Sequence, residues 1–139
     1  MASSLGFSQA QTIVNEAIRQ ARDMKLRISV AVADEAGGLL AFARMDGAAR
    51  LSARTSVDKT RSVILTGRAT IDVGEDLRSE MASEPELFHG MIARWEIVPF
   101  GGGVPVLMSG HLVGAVAVSG GSSREDHEIA TRAATAVVG

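Results

Sequence analysis

Residues 44 to 61, "RMDGAARLSARTSVDKTR", place seven charged side chains within eighteen positions. Arg44 and Asp46 follow a stretch that reads as strand. Arg50, Arg54, Asp58, Lys59 and Arg61 fall on the helix expected next. A guanidinium is a forked donor that suits a carboxylate, so such a cluster could hold a small acid or a propionate. Lys59 could act as a base or carbonyl partner if burial near Arg61 lowers its pKa. Asp46 could then take or return the proton while Arg44 orients the substrate carboxylate. The same residues also fit an exposed helical face laced with ion pairs, Asp58 satisfying Arg54 or Arg61 at close helical spacing.

A second segment raises a different chemistry. Residues 98 to 121, "VPFGGGVPVLMSGHLVGAVAVSGG", hold seven glycines and two prolines among strand-like residues. Gly101, Gly102 and Gly103 could present consecutive N–H groups as a nest for an anion. Pro105 cannot donate to a ladder, which places it at a sheet edge, a bulge or a bend. Gly120 and Gly121 lead from a strand into a capped helix start, a place that attracts anions. The alternatives are a wide connection between strands for the first group and plain helix capping for the second. Ser123 and Asp126 form an S-x-x-D capping pattern there.

Three histidines complete the inventory. His111 in a hairpin turn and His127 near a helix start are expected to be exposed. His89 sits in apolar company, after Leu87 and Phe88 and before Met91 and Ile92. It is a ligand-binding candidate whose alternative is a hydrogen-bonded core residue. No paired carboxylate or H-x-x-x-H spacing supports a metal site, and nucleotide-binding glycine motifs and a G-x-S-x-G elbow are absent.

These residues must be positioned by an alternation of helices and strands. "FSQAQTIVNEAIRQARDMK" repeats apolar residues at helical period, with Ser8 as its expected N-cap. "RISVAVAD" and "LLAFARM" read as a hairpin joined through "EAGG". A helix from about Leu51 to Thr66 is closed by Gly67. Thr70 and "SEPE", with Pro85 in a first-turn position, start two short helical pieces. "RWEIVPF", "VPVLMS" and "LVGAVAVS" then read as three strands, before a last helix with Ile129, Ala130, Ala133 and Ala134 on one face. The result is an α+β chain with five antiparallel strands flanked by helices, in one domain over residues 1–139.

Composition narrows the function. With 46% hydrophobic residues but 4% aromatic ones, the core is aliphatic. A net charge of −2 gives no electrostatic case for nucleic acid. No apolar run approaches the roughly 20 residues of a membrane span, and the N-terminus lacks the pattern of a secretory signal. The absence of cysteine removes thiolate chemistry and Cys-type zinc sites. A cytoplasmic protein is expected.

Three stretches carry a resemblance: "VADEAGGLLAFARMDGA", "SVDKTRSV" and "PFGGGVPVLMSGHLVGAVAVSGGSSREDHEIA". In order and spacing they resemble the family of GlcG and the heme-binding HbpS-type proteins, which includes the C-terminal domain of PduO-type corrinoid adenosyltransferases. The matching positions are Asp34, Gly37, Gly38, Arg44, Asp46, Gly47, Lys59, Gly102, Gly103, Pro105, Gly114, Ser119, Gly120, Gly121 and Asp126. The resemblance implies a profilin-like or PAS-like fold, homo-oligomers from dimer to octamer, and heme or corrinoid as ligand. The chain departs from the family after Lys59, where "KTRSVILTGRAT" adds Arg61 and Arg68, and where "IDVGEDLRSEMASEPELFHGM" replaces a long loop. Those changes point to a smaller, anionic ligand.

The leading expectation is a small-molecule-binding accessory protein of a catabolic pathway. Its site would join Arg44, Arg61, His89, Gly101, Gly102, Gly103, Pro105, Gly120 and Gly121. The alternative is a metal-free lyase, isomerase or hydrolase acting on a small oxygenated acid, with Lys59 and Asp46 as catalytic residues. A purely assembling subunit is the third.

Overall fold

The structure is a computed structural model that describes residues 4–137. Helix α1 (Phe7–Asp23) leads into the hairpin β1 (Ser29–Asp34) and β2 (Leu39–Arg44). Helices α2 (Arg50–Thr66), α3 (Thr70–Ser79) and α4 (Pro85–Trp95) follow, then the hairpin β3 (Gly103–Met108) and β4 (His111–Ser119). Helix α5 (Ser123–Ala134) closes the order and runs into a short 3-10 turn. One antiparallel sheet results, with strands in the order β2-β1-β4-β3.

The sheet has four strands rather than the five expected. "RWEIVPF" is not a strand. Trp95 ends α4, and Glu96 turns the chain in a left-handed conformation at φ 54°. Beyond it the amides bond to helices instead of a ladder. Val98 N–H donates to Ser62 Oγ at 2.9 Å and Gly101 N–H to Ser123 Oγ at 2.7 Å. Ile97 packs with Val73 and Leu77 in a small satellite core.

The pleat sorts the sheet's two faces by size. Val30, Val32, Val104, Val106, Val116 and Val118 point one way, into a core completed by α1 and α5. Ala31, Ala33, Ala115 and Ala117 point the other way, with Ser29 and Ser119. Helix α2 lies on this small-residue face. Its buried stripe is polar: Ser52, Ser56, Lys59, Thr60 and Ser62, joined by Val63. Short side chains on both surfaces let the helix backbone approach the sheet closely. The hydroxyls are satisfied locally, Ser56 and Thr60 on carbonyls of their own helix and Ser52 with Ser29 Oγ at 2.8 Å.

Two helix starts differ from expectation. Helix α1 is capped by Gly6, not Ser8, and Gln9 reaches back to the Gly6 N–H. Helix α5 is capped by Ser122, whose hydroxyl accepts from Glu125 N–H while Glu125 returns a bond to Ser122 N–H. Ser123 and Asp126 are therefore not the capping pair. Asp126 is only 3% exposed and turns into the fold. The β1–β2 turn is set by Asp34, whose carboxylate accepts from Ala36 and Gly38 N–H.

The small-residue face leaves no room for added volume. Ala117→Leu, beneath α2, is expected to lower stability by about 1–3 kcal/mol, read as a reduced urea midpoint with unchanged slope.

Candidate functional site

Lys59 is the most enclosed charged group of the described chain, with 1% of its surface exposed. Helix α2 carries it inward. Its Nζ donates to the Val118 carbonyl at 2.8 Å and to Asp126 Oδ2 at 3.3 Å. The Phe100 ring covers it, with the centroid 5.2 Å away. Phe100 itself is 44% exposed, so it separates the ammonium from solvent. One side chain thereby ties α2, β4, α5 and the glycine segment together.

Asp126 completes the tie from the other side. Its Oδ1 accepts from Gly121 N–H at 2.8 Å, and Gly120 supplies a further backbone contact. The anion that the Gly120–Gly121 helix start attracts is thus the chain's own carboxylate. Burial pushes the Lys59 amine below the ordinary lysine range, and the attraction of Asp126 offsets this only in part. Burial likewise pushes the Asp126 carboxyl upward against the pull of Lys59 and the two glycine amides.

The triple glycine serves this arrangement. Gly102 has φ 134°, and a Cβ there would overlap the Val118 carbonyl oxygen and Lys59 Nζ. Val118 N–H donates back to the Gly102 carbonyl at 2.9 Å. The flanking amides are taken as well, Gly101 N–H by Ser123 Oγ and Gly103 N–H by Thr70 Oγ1 at 3.0 Å. Those two donors are not held out as an anion nest.

The structure therefore brings Lys59, Gly101, Gly102, Gly103, Gly120 and Gly121 together, and adds Asp126. It does not bring in the other candidates. Arg44 and Asp46 line an open hollow of about 380 Å3 with Ile18, Arg22, Ala43 and Met45. None of Lys59's hydrogen-bond partners belongs to that hollow. Arg61 points outward, paired to Asp58 at 2.7 Å, and Arg54 reaches the same carboxylate. This is the ion-paired face that the helical spacing allowed. His89 is exposed on α4, edge-on to the Phe88 ring, not held in apolar company. Pro105 sits on the outer strand β3. His127, expected to be exposed, is half-buried. Among the described residues no group of three His, Asp or Glu side chains could hold a metal ion.

Asp126 is the residue that sequence reasoning misplaced. A signal was present: Asp126 shares a helical stripe with Ile129, Ala130 and Ala133, so it falls on the buried face of α5.

The chain is a small α+β protein whose antiparallel sheet is locked to its covering helix through a buried lysine and a glycine segment. The HbpS-like family, described as "Haem degrading protein HbpS-like", matches residues 5–135, and the chain belongs to it. Protein GlcG of Escherichia coli is 34% identical over 118 residues, 83% of this chain and 81% of that protein. The crystal structure of HbpS superposes with a TM-score of 0.83 at 26% identity, covering 100% of this chain and 93% of the other. That of the PduOC:heme complex gives 0.84 at 24% identity, covering 97% and 96%.

Breaking the tie from one side should cost more than removing it. Lys59→Met or Asp126→Asn alone is expected to cost about 3–5 kcal/mol in urea unfolding, and the double variant less than either. The pH dependence follows from the directions above. Asp126 binds its proton more tightly folded than unfolded, so its contribution falls as pH rises above about 3.9. Lys59 holds its proton less tightly folded, so its contribution recovers as pH climbs toward about 10.4. The stability of the native chain minus that of the double variant should fall from mild acid to neutrality, then rise in alkali. A flat difference would mean that neither group is shifted by burial.

Proposed function

We propose that the chain is a binding protein for a small organic ligand bearing carboxylates, with heme as the first candidate. In this reading it is a cytoplasmic accessory to a catabolic pathway and works as a homo-oligomer. The observation that carries the reading is the sealing of Lys59. The one lysine placed for chemistry is held by Val118 and Asp126 inside the fold and covered by Phe100, which suits a structural role better than turnover. The open hollow between α1 and β2 offers what a carboxylate needs instead. Arg22 and Arg44 stand there over Ile18, Ala43 and Met45, against the single carboxylate of Asp46, and neither guanidinium is ion-paired among the described residues. Heme presents two propionates, which matches a pair of arginines. The family's description names haem, and the PduOC fold neighbour is known as a heme complex. Exposed Phe42, Leu51, Leu65 and Trp95 supply apolar surface for contact between copies.

One observation favours a second reading, a metal-free enzyme acting on a small oxygenated acid. The amine of Lys59 is lowered by burial and lies beneath a single exposed ring, Phe100. In that case Phe100 would swing aside to admit substrate.

Titration with hemin separates the two. A Soret shift with thermal stabilisation is expected, and Arg44→Glu should weaken hemin about tenfold, which is roughly 1.4 kcal/mol. No Soret change, with no stabilisation by hemin or a panel of small acids, overturns the binding reading. Turnover of such an acid that rises in Phe100→Ala would establish the enzyme.

A further inference from the structure

The far edge of the sheet carries a second opening. An apolar groove of about 360 Å3 runs between β3 and α5, within the size range of small-molecule sites. Val104, Pro105 and Leu107 form one wall. The other is a single helical stripe, His127, Thr131 and Ala134. Because β2 and β3 are opposite edges of the sheet, this groove is separate from the arginine hollow. It does not depend on heme binding.

His127 gives the groove its polarity. Its Nδ1 is shielded from water and meets no hydrogen-bond partner among the described residues. A sealed N–H without an acceptor is rarer in folded proteins than a sealed lone pair without a donor. The ring proton therefore belongs on Nε2, which is neither sealed nor bonded among the described residues. The nearby hydroxyls are occupied, Thr131 Oγ1 donating to the His127 carbonyl and Thr135 Oγ1 to that of Arg132. The groove thus offers an apolar wall beside an imidazole whose Nε2 makes no hydrogen bond among the described residues.

The edge strand suits a main-chain partner poorly. Gly103 N–H is already held by Thr70 Oγ1, and Pro105, two residues on, has no N–H. An added strand would meet no donor at either position. We propose that this groove binds a small, mainly apolar molecule whose carbonyl oxygen accepts a hydrogen bond from His127 Nε2.

The matched probes 2-acetylnaphthalene and 2-ethylnaphthalene differ only in a carbonyl, and titrating each into the 15N-labelled full chain tests the assignment. The ketone should bind about five- to tenfold more tightly, with the largest shifts at Leu107, His127 and Thr131. His127→Phe should abolish that preference while hydrocarbon binding persists. Should that variant not fold, Leu107→Glu at the exposed wall should weaken both probes. Equal affinities, shifts centred elsewhere, no binding of either probe, or a preference that survives His127→Phe would each overturn the proposal.

Discussion

The contact between Lys59 and Asp126 constrains the rest of this molecule. A buried ammonium needs partners on every side, and each partner here comes from a different element: a carbonyl of β4, a carboxylate of α5 and a ring from the segment before β3. Desolvation of both charges works against the pair, so its value is better understood as specificity than as raw stability. The lysine fixes where α2 sits along the sheet. The carboxylate fixes how α5 leaves β4. The bare backbone at Gly102 is the space those two demands leave, because any side chain there would meet the lysine.

Much of the architecture was legible in the sequence because local rules govern it. The Leu51–Thr66 helix and its Gly67 stop follow from periodicity and a left-handed C-cap. The β1–β2 hairpin follows from "DEAGG", in which Asp34 bonds the turn it begins. The site was legible only in part. Lys59 stood out by type, but its partner lies 67 positions away, and a carboxylate in a first helical turn has an ordinary capping explanation. The supposed fifth strand failed for a related reason. The apolar residues of "EIVPF" match a strand, yet Ile97 N–H bonds back to the Met91 carbonyl of α4, Val98 N–H to Ser62 on α2 and the following Gly101 N–H to Ser123 on α5, which no local pattern reveals. The hollow at Arg44 and the sealing of Lys59 are likewise products of packing.

The division of polar chemistry is the more general lesson. Lys59 and Asp126 are turned inward and satisfied by each other and by backbone, while Arg22 and Arg44 stand in an open hollow at one edge of the sheet and His127 lines a groove at the other. A chain whose charged residues close on one another in this way keeps its interior rigid and leaves its periphery free to vary.

The treatment of β3 bears on how concentrated such a protein can become. Exposed strand edges are where folded proteins begin to stack into fibrils, since an unused row of amides serves as a template for the next chain. With a threonine covering one position and a proline removing another, this border lacks the regular donors that such growth requires. That border of the sheet is guarded by backbone chemistry rather than by charged side chains on β3, and the apolar channel beside it stays open to water.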